Sequence, residues 1–386
     1  MNPHLSRIIE KFSQTFSEKP TLVRAPGRVN LIGEHTDYNN GFVLPAAVNK
    51  SIYLAVSKRS DDKIHLISLD LDDEYISDIH SYKQHEKSWA DYILGVVQQL
   101  QNPGHNIGGF NCVFSGDIPL GAGLSSSAAL ECGVAFSLNL LFGLNIDKIE
   151  LVRLSQKAEN EFVGVKSGIM DQFASMMGKK NQVIKLDCQS LGYEYNPLKM
   201  DGIEIVLFDS CVKHSLVTSE YNTRRAQCEA GVKMIQEKHP EVQSLRDATI
   251  AMIDEIIKPK DEVVYRRCKY VVEENTRLLE GCDDLQRNDV AAFGRKMFAT
   301  HKGLSKDYEV SCEELDYLID CVKDNEAVLG ARMMGGGFGG CTINLVKEDA
   351  VDELVKSVTE KYKAHTGKVT KVYVAKIEDG VSVVTV

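Results

Sequence analysis

Apolar positions recur along this chain with two periods, and each change of period marks a predicted element. Residues 5–17 carry the spacing of an amphipathic helix. From Thr21 to Val48 the pattern turns extended, punctuated by Pro26, Gly27, Gly33, Gly41 and Pro45. Alternation predicts strands over Ser51–Ser57, Lys63–Leu71 and Gly108–Phe114. Helices are expected at Trp89–Leu100, Ser126–Phe142 and Lys148–Val163. In the last, Leu151, Leu154, Ala158 and Phe162 form a core-facing stripe. Ile203, Ile205 and Leu207 predict a strand over Gly202–Asp209, followed by charged helices at 216–239, 262–280, 287–301 and 313–325. Short strands close the chain at Thr342–Val346, Val372–Ile377 and Val381–Val386.

At ~150 residues per domain, 386 residues make room for two or three domains. The composition changes near 195–202, which divides the chain into an N-terminal lobe, residues 1–198, and a C-terminal lobe, residues 199–386. Strands alternate with helices in both halves. The expected class is therefore α+β, two lobes with a ligand cleft between them, rather than one doubly wound sheet. With 43% hydrophobic and 26% charged residues the chain can bury a large core, which excludes disordered and fibrous classes. A formal charge of −10 without a basic patch argues against nucleic acid and anionic membrane as partners. The longest apolar stretch, Ala128–Leu144, is interrupted by Glu131, Gly133, Asn139 and Gly143, so it reads as a buried helix. The first ten residues lack the apolar centre of a secretory signal. Ten cysteines occur without a C-x-x-C pair or zinc spacing, which reads as reduced thiols of a cytoplasmic protein.

Four segments concentrate reactive residue types. Arg24 to Asn39 packs Arg28, Glu34, His35 and Asp37 around Leu31 and Ile32, and burying such groups is costly unless they are paired. A solvated turn with local ion pairs is one reading. A metal site is a second, although neighbouring ligands on an extended segment cannot all face one ion. The third is a polyol site, whose carboxylates and imidazole accept hydrogen bonds from sugar hydroxyls. Next, Pro119-Leu120-Gly121-Ala122-Gly123-Leu124-Ser125-Ser126-Ser127 leads into an apolar helix. Glycines allow close backbone approach, and a helix start attracts an anion. A plain serine cap after a glycine turn is the alternative. No Gly-Lys-Ser/Thr follows, so this is not a Walker loop.

Gly335, Gly337 and Gly340 spell G-x-G-x-x-G, but a strand rather than a helix follows, so the dinucleotide fingerprint is rejected. So dense a glycine run still implies a backbone crowded against a ligand or another loop. Finally, Asp171 sits between Met170 and Phe173, either as a helix cap or as a general base near a substrate hydroxyl. Glu159, on the helix before it, faces a metal or solvent.

Taken together these segments resemble the galactokinase branch of the GHMP small-molecule kinases. Arg24 to Asn39 is similar to its sugar signature, Pro119 to Ala128 to its ATP loop, and Gly330 to Thr342 to its third motif. The Asp171 block and Ser219-Glu220-Tyr221 fall in the same order. The resemblance implies a two-lobed GHMP-kinase fold that phosphorylates D-galactose at its anomeric C1 hydroxyl with ATP and Mg²⁺. The products would be galactose 1-phosphate and ADP, the first committed step of the Leloir pathway. By the same resemblance Glu34, His35, Thr36, Asp37, Gly168 and Tyr221 would hold galactose. Asp171 would be the base, with Arg28 beside it keeping the carboxylate ionised. Ser68, Gly121, Ala122, Gly123, Leu124, Ser125, Ser126 and Ser127 would hold ATP, and Ser127 with Glu159 would bind Mg²⁺. A monomer is expected, a dimer being the alternative. The competing readings are a kinase for N-acetylgalactosamine and a galactose-sensing regulator that has lost catalysis.

Overall fold

The computed structural model describes residues 2–84, 88–119, 121–198, 201–212 and 217–385. The chain begins with the helix Pro3–Thr15, started by the Asn2 side chain accepting the His4 N–H. Its Leu5, Ile8 and Phe12 are buried against Leu22, Ala55 and Val113, where the apolar stripe predicted them.

Those three partners lie in a six-stranded sheet. Thr21–Asn30 pairs antiparallel with Pro45–Lys58, which pairs with Phe110–Gly116. Lys63–Ser68 then runs parallel to Phe110–Gly116 and antiparallel to Asp73–Asp78 at the edge. The register between the first two strands shifts between Pro26 and Arg28. Beyond that shift the Arg28 N–H bonds the Leu124 carbonyl at 3.0 Å, so the irregularity aims Arg28 at the serine loop. The helix Ser126–Phe142 lies across this sheet, and every residue from Ala128 to Ala135 is buried. An all-round apolar helix needs such a central place.

Beyond the helices Lys148–Lys157 and Met170–Met177, the strands Gln182–Asp187 and Tyr193–Pro197 form a small sheet with Phe42–Val43. The second half is built on an antiparallel sheet in the order Val328–Met333, Cys341–Lys347, Ile203–Asp209, Lys371–Ala375. Of its two inner strands, Ile203–Asp209 buries apolar residues on both faces. Val206 and Phe208 pack towards the helix Val351–Thr366, whereas Ile205 and Leu207 join the core of the first half. The halves therefore meet through a shared apolar layer, above which run the helices Val217–Gln236, Glu262–Gln286 and Val290–Lys302.

Two expectations change, and others fall on or beside positions outside the described residues. The division at 198/199 adjoins residues 199 and 200, which lie outside the described residues, as do Leu120 and the Ser219 side chain. The strand expected at Val381–Val386 is reduced to Ser382–Val383, and it pairs with Val23 and Arg24 in the first sheet. The chain end thus crosses back to the first half, a non-local pairing that composition does not reveal. Val328–Met333 and Val351–Thr366 are elements absent from the sequence reading. All ten cysteines are free thiols, and no described helix is long and apolar enough to cross a membrane.

Candidate active site

The segment after Asn30 is not extended. Gly33 and His35 adopt positive φ (90° and 62°), a short 3₁₀ turn follows at Asp37–Asn39, and Asn40 is again left-handed. This tight loop turns Glu34, His35 and Asp37 into one cavity of about 160 Å³, together with Arg28, Glu159, Gly168, Asp171, Tyr221 and Gly336. The steric objection to neighbouring residues sharing a ligand therefore fails, because it assumed an extended backbone. Among the described residues no group of three or more His, Cys, Asp or Glu is arranged to hold a metal.

Thr36 takes a different place. Its hydroxyl donates to the carbonyls of Gly33 (2.9 Å) and Phe42 (2.6 Å), closing the loop from inside, and the side chain is fully buried. It does not line this cavity, because closing so tight a loop consumes its only hydroxyl.

Each acidic group has a defined electrostatic setting. Glu34 Oε1 accepts from Arg332 at 3.0 Å and from the Gly335 N–H at 2.9 Å, and Arg332 has no exposed surface. Asp37 lies against the Gly168 backbone. Burial, reinforced by the negative charge of Asp171, pushes its pKa up to about 7. Burial likewise lowers His35 to about 4, so the imidazole is neutral. His35 Nδ1 meets the Tyr38 hydroxyl at 2.8 Å, while Nε2 is buried without a hydrogen bond. The Tyr221 ring covers this imidazole at 5.3 Å.

Asp171 opens the short helix Met170–Met177 and is held by a two-pronged ion pair. Arg28 Nε reaches Oδ1 at 2.7 Å and a terminal nitrogen reaches Oδ2 at 2.8 Å. Burial opposes the Arg28 charge, but Asp171 and Glu34 overcome it and raise the guanidinium pKa above its ordinary value. Arg28 also donates to the Gly123 carbonyl, and the Ser125 hydroxyl donates to Asp171. Ser125 is left-handed (φ 56°) and caps nothing; no side chain caps its helix. The serine-cap alternative is thus replaced by contacts to Asp171 and Glu159.

Glu159 owes its position to a wide turn. The predicted helix Lys148–Val163 changes at Ala158 to a π-helical turn through Val163, and the Glu159 carbonyl accepts from both Gly164 and Val165. Its carboxylate accepts from Ser127 Oγ at 3.2 Å, from Ser167 Oγ at 2.5 Å and from Gln172 Nε2 at 2.9 Å. Burial raises its pKa.

Ser127 also borders a second cavity of about 600 Å³, together with Ser68, Ser126, Trp89, Tyr92 and Phe114. Ser127, in the lining of this cavity, donates to Glu159, in the lining of the first. Of the remaining loop residues, Gly121 and Gly123 are left-handed, while Ala122 and Leu124 are buried. The glycine run packs against this loop, as its density implied: a Cβ on Gly340 would lie 3.5 Å from the Gly121 carbonyl oxygen. Sequence reasoning missed Arg332, Ser167 and Gln172. For Arg332 a signal existed, a lone cation inside the apolar run Val328–Met333.

Comparison with known proteins bears on this geometry. The profile described as "Galactokinase galactose-binding signature" matches residues 10–58, "GHMP kinases N terminal domain" 91–179, and "GHMP kinases C terminal" 283–364. The galactokinase of Clostridium acetobutylicum is 42% identical over 97% of this chain and 98% of its own. The crystal structure of Lactococcus lactis galactokinase complexed with galactose superposes with a TM-score of 0.94. It is 36% identical and covers 98% of this chain and 100% of its own. Methanococcus jannaschii mevalonate kinase (TM-score 0.63, 18% identity, covering 93% of this chain and 99% of its own) shares the fold alone.

Proposed function

The chain belongs to the galactokinases of the GHMP kinase family, and from that premise we propose how its residues carry out the reaction. The protein phosphorylates D-galactose with ATP, at the C1 hydroxyl, giving galactose 1-phosphate and ADP. The observation that carries the assignment of roles is the Arg28–Asp171 pair, set in the small polar cavity and tied through Ser125 to the serine loop. In this reading galactose occupies the cavity of Glu34, His35, Asp37, Gly168 and Tyr221. Asp37 and the second oxygen of Glu34 accept hydrogen bonds from sugar hydroxyls. Neutral His35 borders the same cavity and completes its polar wall. Thr36 acts behind them by holding the loop closed.

Asp171 accepts the proton of the C1 hydroxyl as that oxygen approaches the γ-phosphorus. Arg28 fixes the carboxylate with both prongs and offers positive charge where negative charge builds up. The base of ATP fits the aromatic cavity near Ser68, and its phosphates run along Gly121–Ser127 to the uncapped helix start. Phosphoryl transfer rests on positioning and charge neutralisation more than on covalent chemistry. The hard oxygen donors Ser127 and Glu159, 3.2 Å apart, suit Mg²⁺, which takes one or two protein oxygens plus phosphate oxygens. That ion would neutralise phosphate charge. The division into lobes near 198/199, with the cleft between them, belongs to the same proposal. Ten free thiols fit a reducing cytoplasm.

The test is a coupled ADP-release assay with galactose, galactosamine and N-acetylgalactosamine. Release with galactose at a kcat/KM well above that for either amino sugar is expected. Preference for N-acetylgalactosamine would reassign the substrate, and galactose binding without ADP release would make the protein a sensor.

A further inference from the structure

The loop that turns Glu34, His35 and Asp37 into the cavity is tied at both ends to one face of a distant helix. Glu274, without exposed surface on the helix Glu262–Gln286, accepts the Gly33 N–H on Oε1 at 2.9 Å. Its neighbour Asn275 accepts the Phe42 N–H on Oδ1 at 2.9 Å. One turn earlier the buried Tyr270 hydroxyl donates to the Glu34 carbonyl at 3.1 Å. Tyr270 and Glu274 are i and i+4, one above the other on the helix. The three residues are more than 230 positions from the loop in sequence. They lie between the matched profiles, which end at 179 and resume at 283.

Three features make this contact a setting device. The bonds go to loop backbone, so they fix the loop's place whatever its side chains bind. They come from the second half of the chain, whereas the loop continues a strand of the first. The fit is also close: a Cβ on Gly41 would lie 2.3 Å from Asn275 Oδ1. Glu274 is itself oriented by the Thr300 hydroxyl (3.0 and 2.9 Å to its two oxygens) and by an ion pair with Arg277.

We infer that Glu274 and Asn275, assisted by Tyr270, are positioning residues for the sugar: they set the galactose loop from outside the cavity and thereby its affinity for the substrate. This rests on the reading of that cavity as the galactose site. Asn275→Ala removes one acceptor and leaves the cavity lining intact. Expected is a rise in KM for galactose of about tenfold, the size of one lost buried hydrogen bond. KM for ATP and kcat should stay within about twofold, and Asn275→Asp, which keeps an acceptor oxygen, should recover most of the loss. Glu274→Gln keeps one acceptor oxygen for the Gly33 N–H but turns an amide NH2 towards Arg277, so its galactose KM should fall between those of wild type and Glu274→Ala.

Hydrogen–deuterium exchange supplies a readout independent of turnover. In Asn275→Ala without substrate, amides of 33–42 should exchange faster and those of 121–127 should not. An unchanged galactose KM with unchanged loop exchange would overturn the inference. So would equal rises in both KM values with faster exchange everywhere, which would mark a merely structural role. Wild-type protein inert towards galactose would defeat the functional reading instead, leaving loop exchange to judge the clamp.

Discussion

Acidification should weaken galactose capture through Asp37. Its carboxyl, buried and facing the negative Asp171, titrates at about 7 in the free protein, so between pH 8 and pH 5 it gains a proton. A sugar hydroxyl that donates to the ionised carboxylate can be held at pH 5 only after that proton leaves. Two pH units correspond to about 3 kcal/mol, hence a fall in kcat/KM for galactose on the order of 100-fold from the alkaline plateau. Stability moves the other way. The folded pKa lies above the ~3.9 of an unfolded aspartate, so the contribution of neutral Asp37 is fully present below about pH 4 and is lost as pH rises through 7. Three pH units of difference put it at about 4 kcal/mol. The assay is kcat/KM for galactose from pH 5 to 9 at saturating ATP, with thermal unfolding over the same range, for wild type and Asp37→Asn. The variant should lose the acid limb, have a lower plateau, and lose the corresponding part of the stability profile. An acid limb near pH 7 that persists undiminished in Asp37→Asn would refute the reasoning, as would a flat wild-type profile.

Other substitutions probe the remaining contacts. Asp171→Ala should lower kcat on the order of 10²–10⁴-fold with the fold retained, while the buried Arg28 it leaves without its partner lowers the unfolding temperature; near-normal turnover would end its role as base. Arg28→Lys cannot reproduce two parallel bonds to Asp171 and a third to Gly123, so kcat/KM should drop about tenfold or more. Steady-state kinetics at saturating ATP will check this. Gly168→Ala would place a Cβ 1.9 Å from Asp37 Oδ2, so galactose KM should rise by roughly tenfold while ATP KM holds. Equal effects on the two substrates would contradict that placement. Arg332→Leu leaves Glu34 charged, buried and unpaired, a loss of about 3–5 kcal/mol measurable by urea unfolding. A loss below about 1 kcal/mol would show that the pair matters little.

Local patterns were legible because their causes are local. The apolar run from Ala128 announced a buried helix, and Ser126–Phe142 matches the prediction end to end. The residues of the cavity were also visible as an improbable density of charge between Arg24 and Asn39. Their arrangement was not. Left-handed His35 and Asn40 fold the segment into a loop, and no periodicity argument forecasts such a residue. The same limit hid the π-helical turn at Ala158, which a helical stripe does not distinguish from a continuous α-helix.

What the chain carried in its own text was chemistry and short-range geometry: carboxylates, a guanidinium, an imidazole, a glycine-serine loop and the elements bearing them. Tertiary structure alone chose their partners. It paired Arg28 with Asp171 across 143 positions and Arg332 with Glu34 across 298, and it brought Asn275 to Phe42 across 233. It also enlisted Thr36 to close the loop rather than to line the cavity. The physical reason is that a buried charge or N–H must find a partner wherever packing leaves one, and packing is a property of the whole fold.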